Sequence, residues 1–362
     1  MNEITLLINS LGGGGAERVC VTLANKLSQR GWLVTLVLLH TKNAVMLERL
    51  SEKVKCEVLG VEHARYSFVA LAHYFSAANG AKVLVFNHQL ACILVLLRCL
   101  KLIDVTIIAR NISNLSKKKQ LEASFWHKYF VSFFVKSLYC KVDAVICQSA
   151  FMLQDLKDNY AIAPDKMTVI NNPVSPEIET AAKDGDTSAS ERYLLCVGRL
   201  ESVKAFHHAI NALSLIAKEY PDLKLKIVGK GILEHELKAL CETSGLQGRV
   251  IFEGFQSEMA PYFVNAIATV LTSQYEGFPN VLVESITMGT PVVAYDIEGG
   301  VGEIVIDGLN GYLAKDRDER DLAHKIEMVL SGVLFTDDIK KSSGKYSSDT
   351  VVNQYERVFL SC

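Results

Sequence analysis

The sequence predicts an α/β protein built from two doubly wound, parallel-sheet domains facing across a cleft. Three observations carry this. The chain has 362 residues, about two domains' worth at roughly 150 residues each. Short apolar runs alternate with helical periodicity, the pattern of parallel strands covered on both faces. That alternation breaks off near 172–192 and then restarts.

The chain opens on the strand "EITLLIN" (3–9) and continues as "SLGGGGAERVCVTLANKLSQRG" (10–31). There the glycines form a loop, and Ala16, Val19, Leu23 and Leu27 mark one helical face. Gly31 ends that helix, and "LVTLVLL" (33–39) is the next buried strand. Further strands are expected at 54–59, 82–86, 105–109, 143–147 and 167–171. "NPVSPEIETAAKDGDTSASER" (172–192) is polar, rich in small residues and aperiodic, so a linker is placed at 176–192. The pattern resumes with strand "YLLCVG" (193–198), a helix near 203–219, strand "LKLKIVG" (223–229) and a helix at 232–243. Strands at 250–253, 268–273 and 291–295 complete the second half. The tail "YSSDTVVNQYERVFLSC" (346–362) begins with capping residues and spaces Val351, Tyr355 and Phe359 helically. These boundaries give a first domain at 1–175, a second at 193–345, and a closing helix at 346–362 that packs back toward the first.

Composition narrows the function classes. A formal charge of −2 supplies no general attraction for nucleic acid, so any anion site must be local. The nine cysteines show no C-x-x-C pair and no histidine at metal-ligand spacing. They read as reduced thiols of a cytoplasmic protein, with no metal site expected. Residues 1–9 carry Glu3 and read as a strand, not a basic signal-peptide start. The apolar run "LACILVLLRCL" (90–100) is interrupted by Arg98 and is too short to span a bilayer.

The chemistry concentrates in "SQYEGFPNVLVESITMGTPVVA" (273–294). A helix is expected to start near Asn280 and stop at Gly289, with Glu276 in the preceding loop and Glu284 about one turn inside. Helix-start N–H groups form an anion site, and a carboxylate on either side suits hydroxyl groups. "VGRLESVKAFHHAI" (197–210) puts Arg199 just past a strand and Lys204 in the following turn, two cations suited to a phosphate. Only Glu201 lies near them in the sequence, so they are expected to stay available rather than pair with an acidic run.

"EGFPNVLVE" resembles the E-x7-E signature of glycosyltransferase family 4, retaining GT-B enzymes that use nucleotide sugars. "VGRL" with Lys204, "VGKG" (228–231), "FEGF" (252–255), "EGGVGEIVIDGLNGYL" (298–313) and "GGGGAERV" near the start resemble the family's other landmarks, in its order. The resemblance covers nearly the whole chain and is tightest in the second half. It implies two Rossmann-like domains and a set of roles. Glu276 would hold the donor sugar's hydroxyls and Glu284 the ribose diol. The backbone of Gly277, Phe278, Pro279 and Asn280 would line the sugar, and Val281 would meet the diphosphate. Arg199 and Lys204 would stabilise the departing nucleotide, and Phe255 would meet the base. Gly13, Gly14 and Gly15 would let backbone approach the diphosphate from the first domain. No cofactor or metal is implied beyond the nucleotide sugar itself, with UDP favoured over GDP. The acceptor implied is a lipid-linked or oligosaccharide glycan of the bacterial surface.

Two departures from the family pattern stand out, the first of them on the acceptor side. Relatives carry a histidine near the end of the 105–109 strand, where this chain reads "IIARNISN" with Arg110 and Asn111. Asparagine cannot shuttle a proton, and His88 in "VFNHQLA" is the alternative acceptor-side group. Ala205 stands where relatives carry Gly or Asn. The D-x-D triplets Asp184–Asp186 and Asp316–Asp318 do not end apolar strands and read as surface charge. The basic, aromatic stretch 117–141 fits either a helix lying on an anionic membrane surface or a connecting helix packed on the first sheet. The runner-up activity is a nucleotide-sugar 2-epimerase of the same fold. A dinucleotide-dependent oxidoreductase is disfavoured because "GGGGAER" lacks G-x-G-x-x-G and His40 stands where an acidic residue would follow the second strand.

Overall fold

The computed structural model describes residues 2–111, 132–184, 193–332 and 334–362. Two compact units emerge, one of Met1–Pro173 with Ser348–Cys362, the other of Val174–Ser347.

The first unit is a seven-stranded sheet in the order β3-β2-β1-β4-β5-β6-β7. Its strands are β1 Glu3–Ile8, β2 Leu33–Leu38, β3 Lys55–Val58, β4 Ala81–Val85, β5 Val105–Asn111, β6 Ala144–Cys147 and β7 Met167–Val169. Every pairing is parallel. Period-two alternation sends Leu7, Val37, Val85, Ile107 and Val145 into one core layer. Leu6, Leu36, Leu84, Ile108 and Ile146 go into the other. Burial on both faces is why these strands read as continuous apolar runs.

The closing helix Ser348–Ser361 completes the second of these layers with Val351, Val352, Tyr355 and Phe359. Trp32 meets Phe359 edge to face and donates from Nε1 to Glu356 at 2.8 Å. Arg30 Nη1 reaches the other Glu356 oxygen at 2.7 Å.

The second unit is a six-stranded parallel sheet in the order β10-β9-β8-β11-β12-β13. Its strands are β8 Tyr193–Val197, β9 Lys224–Val228, β10 Val250–Gly254, β11 Ala268–Leu271, β12 Val292–Asp296 and β13 Gly311–Lys315. The sequence reading did not include β13, because "GYLAK" is short, opens on glycine and follows a turn-rich stretch. Its five-residue register with β12 makes it a strand.

The expected linker 176–192 needs correction. Pro176–Asp184 is a helix and belongs to the second unit. Ser175 Oγ accepts from the Ile178 N–H at 3.4 Å, Pro176 occupies the first helical position, and Glu177 and Glu179 sit in the first turn. Ile178 is buried in that unit's core. The acidic start and the single buried anchor outweigh the low periodicity. The stretch 117–141 falls outside the described residues as far as residue 131, and Ser132–Tyr139 is helical. Among the described residues no helix is long and apolar enough to cross a membrane.

Candidate functional site

In each sheet the strand order reverses once, between β1 and β4 and between β8 and β11. Such reversals open a crevice beyond the strands' carboxyl ends, where ligands of α/β sheets bind.

In the second unit the loops leaving β8 and β11 meet above that crevice. The β8 loop passes Arg199, makes a 3₁₀ turn at Ser202–Lys204, and reaches Ala205 in the left-handed region at φ 45° before the helix Phe206–Ile216. The left-handed turn accounts for the Gly or Asn expected at this position, and alanine adopts it here at some cost. Leu200 anchors the loop: it is buried, and its N–H donates to Lys230 O at 3.1 Å. Two bonds join the loops, Thr272 Oγ1 to Lys204 O at 2.9 Å and the Gln274 N–H to Val203 O at 2.8 Å.

This tie brings Lys204 to Glu276. Lys204 Nζ lies 2.6 Å from Glu276 Oε1, and Ser273 Oγ donates to the same oxygen at 2.7 Å. Both charged side chains are mostly shielded, 21% and 14% exposed. A carboxylate oxygen held by one cation and one hydroxyl has a fixed orientation, with its second oxygen left to face elsewhere.

The loop after β12 backs this arrangement. The Gly300 N–H donates to Gly277 O at 3.1 Å. Gly299 adopts φ 132°, and a Cβ there would stand 1.8 Å from Glu276 O. Phe278 is buried. Pro279 precedes the helix Asn280–Thr287, whose start no side chain caps, leaving the positive end of its dipole beside the loop. Val281 packs against the core, and Glu284, in the second turn, is 5% exposed.

Arg199 corrects the expectation of two available cations. It is 74% exposed and paired with Glu201 at 2.8 Å, while Lys204 has its partner in Glu276, 72 residues away. Sequence proximity could show the first pairing and not the second. Phe255, just beyond β10, is 69% exposed. Ser273, Gly299 and Gly300 were not singled out from the sequence. Their only sequence signals are a serine three residues before Glu276 and the "EGG" landmark.

In the first unit Gly13 takes φ 93°, Gly14 is extended, and Gly15 opens the helix Gly15–Gln29, again without a side-chain cap. His88 opens the helix His88–Cys99. Arg110 and Asn111 end β5, each 1% exposed. Arg110 is not displayed at a surface: Nε donates to Tyr355 OH at 2.9 Å, Nη2 donates to Asn172 Oδ1, and the guanidinium lies 5.1 Å from the Phe86 ring centre. It is a buried cation held by neutral groups, which alters the acceptor-side role expected of it. Asp318 also does more than add surface charge, since its carboxylate accepts from the Arg320 and Asp321 N–H groups and caps the helix Glu319–Leu330. Of the other triplet, Asp186 lies outside the described residues.

Two family profiles match the chain in succession, Glycosyltransferase Family 4 over residues 13–178 and Glycosyl transferases group 1 over residues 177–345. The chain is 28% identical over 370 residues to the Campylobacter jejuni N-acetylgalactosamine-N,N'-diacetylbacillosaminyl-diphospho-undecaprenol 4-alpha-N-acetylgalactosaminyltransferase, covering 99% of this chain and 97% of the relative. Among solved structures, Anabaena HepE in complex with UDP aligns with a TM-score of 0.80 at 18% identity over 100% of both chains. The sucrose-phosphate synthase of Thermosynechococcus elongatus aligns at 0.81 and 20%, also over 100% of both. At that identity the structural likeness speaks to the fold. Taken with the two profiles and the matching landmarks, it places the chain among the group 1 glycosyltransferases of family 4, built on the GT-B fold.

Proposed function

We propose that this glycosyltransferase moves a hexose or N-acetylhexosamine, with retention, from a UDP-sugar to a lipid-linked glycan of the bacterial surface. The observation that carries the reading is the Lys204–Glu276 pair, 2.6 Å apart, beside the uncapped start of the helix at Asn280. The free oxygen of Glu276 accepts a sugar hydroxyl. Lys204 and the helix dipole stabilise the negative charge that grows on the departing diphosphate, and such preorganised groups act most strongly in the transition state. Arg199 exchanges Glu201 for a phosphate oxygen. Glu284 takes the ribose diol, and Phe255 covers itself against the base.

In this reading the bond from the sugar's anomeric carbon to the diphosphate oxygen breaks as the acceptor oxygen bonds to that carbon on the same face. The acceptor's proton passes to the departing phosphate oxygen. The Campylobacter relative, whose name describes adding N-acetylgalactosamine to a diphospho-undecaprenol glycan, supports a lipid-linked acceptor. HepE, whose solved structure contains UDP, supports uridine as the base.

The test supplies UDP- and GDP-sugars with a polyprenyl-diphosphate-linked acceptor and assigns the product's anomeric configuration by NMR. Retention with UDP donors is expected. An inverted centre overturns the mechanism, and conversion of the donor without acceptor favours the 2-epimerase.

A further inference from the structure

The first sheet carries a cavity at its amino edge, the end of the strands away from the crevice. Leu7 of β1 and Val37 of β2 face the core layer to which the helix Phe68–Ser76 contributes Leu71 and Phe75. Period-two alternation sends Glu3, Thr5 and Thr35 to that same face, and the register sets Thr5 beside Thr35. Nine residues of helix span about 14 Å and six of strand about 20 Å, so the helix cannot cover the whole face. It gives way to a turn that ends at Gly80, in the left-handed region at φ 73°, and β4 begins directly after. What stays uncovered is a cavity of about 590 Å³, lined by these three side chains with Tyr74, Lys82 and Leu360 among others.

Its polar groups are unclaimed by the protein. Glu3, Thr5 and Thr35 are the only polar residues of β1 and β2. Among the described residues, the Thr5, Thr35 and Tyr74 hydroxyls and the Glu3 carboxylate enter no hydrogen bond or ion pair. Thr5, Thr35 and Tyr74 are half-buried. Partial burial pushes the Tyr74 phenol up, and Glu57 adds to the shift, so the hydroxyl keeps its proton. Lys82 Nζ donates to Phe359 O at 2.7 Å.

Three hydroxyls that both donate and accept stand here beside a carboxylate that only accepts. One carboxylate and one ammonium balance in charge, so a charged ligand would meet attraction and repulsion together. Ala77, Ala78 and Ala81 add apolar wall. A pyranose has the complementary make-up, hydroxyls round its edge and C–H bonds on its faces. We propose that this cavity binds a neutral sugar residue, with the Thr5 and Thr35 hydroxyls and the Glu3 carboxylate bonding to its hydroxyl groups. Such a site is separate from the donor site at Lys204 and Glu276, and it stands whether or not the donor reading holds.

The test is saturation-transfer NMR on the full chain with glucose, galactose, N-acetylglucosamine and N-acetylgalactosamine as probes. At least one should receive saturation. Thr5→Val with Thr35→Val, which keeps the β-branched shape and removes both hydroxyls, should weaken that sugar at least about ten-fold. Tyr74→Phe, which keeps the ring, should weaken it about three-fold and serves alone if the double variant does not fold. Glu276→Ala should leave the signal intact. No signal from any of the four sugars, or a signal unchanged in the threonine and Tyr74 variants, overturns the proposal. A signal lost in Glu276→Ala also overturns it, because the sugar then sits in the donor site. Spermidine or inorganic phosphate, binding more tightly than every sugar and weakened by the same variants, overturns the ligand class. Thermal stabilisation by UDP reports on the donor reading separately.

Discussion

Phe278 meets Tyr346 edge to face, with ring centres 5.7 Å apart and planes at 62°. Tyr346 is fully buried, its hydroxyl donates to Glu303 O at 3.0 Å, and its carbonyl takes the Val174 N–H at 2.9 Å. One tyrosine thus braces the site loop and joins the first and last stretches of the second unit. Burial pushes its phenol well above the ordinary value, with Glu303 adding to the shift, so it remains a donor throughout the physiological range.

Replacing Tyr346 divides these contributions. Tyr346→Phe keeps the ring contact and loses one hydrogen bond, for about 1 kcal/mol of stability. Tyr346→Ala leaves a cavity beneath Phe278 and should cost roughly 3–5 kcal/mol, read from urea unfolding. In Tyr346→Phe the KM for donor should stay near wild type. A large rise would mean that the hydroxyl, not the ring, positions Phe278.

Lys204→Ala and Glu276→Gln should each lower turnover by about 10²–10³, the usual loss when one preorganised electrostatic group is removed. Their thermal unfolding should stay close to wild type, because the two loops remain joined by the Thr272 and Gln274 bonds. Unfolding of either variant at assay temperature would make the pair structural.

Gly299→Ala combines an unfavourable φ of 132° with a Cβ placed 1.8 Å from Glu276 O. The backbone must move and will carry Glu276 with it. Donor binding, followed by titration calorimetry with UDP-sugar, should weaken by at least about ten-fold. Gly302→Ala, where a Cβ meets nothing within 4 Å, is the control and should bind normally.

Arg110→Ala should destabilise the chain by roughly 2–5 kcal/mol, because it removes the Nε and Nη2 hydrogen bonds to Tyr355 and Asn172 and leaves a cavity in the interior. Arg110→Met, which refills the volume without charge, should cost less. Urea midpoints of the two variants provide the comparison. Equal losses would show that the polar contacts, not the volume, matter.

Asp349 ties the closing helix to the first unit through Lys26 at 3.2 Å and Arg30 at 3.0 Å. Hydrogen bonds from Lys26 and then Arg30 hold its carboxyl below the ordinary value of 3.8. The stability it adds is therefore complete above that value and is lost as pH falls through the lower folded value. With the side chain 68% exposed, the effect is small and screened by salt. Asp349→Asn should flatten the melting-temperature profile between about pH 5 and pH 3 at low salt, and high salt should erase the difference. A variant profile parallel to wild type would remove Asp349 from the acid response.

Much of the fold and part of the site were legible because their signals are local. Alternation of apolar runs marked twelve of the thirteen strands among the described residues to within about two residues. The spacing of Glu276 and Glu284 around Gly-Phe-Pro-Asn placed the helix start at Asn280. What sequence could not decide was which side chains meet. Lys204 and Arg199 look equivalent on paper, five residues apart. Strand order sets the β11 loop against the β8 loop, so Lys204 receives Glu276 while Arg199 keeps its neighbour Glu201. Arg110 reads as a displayed cation, yet the closing helix buries it under Tyr355, 245 residues away. Asn9, Asn87 and Asn111 show the same division, since no local pattern links them and only the parallel register of β1, β4 and β5 brings them level. Periodicity and capping are properties of a few adjacent residues, so the sequence determined the elements. Contacts between loops depend on strand order and register across the whole sheet, so only the tertiary structure decided the site.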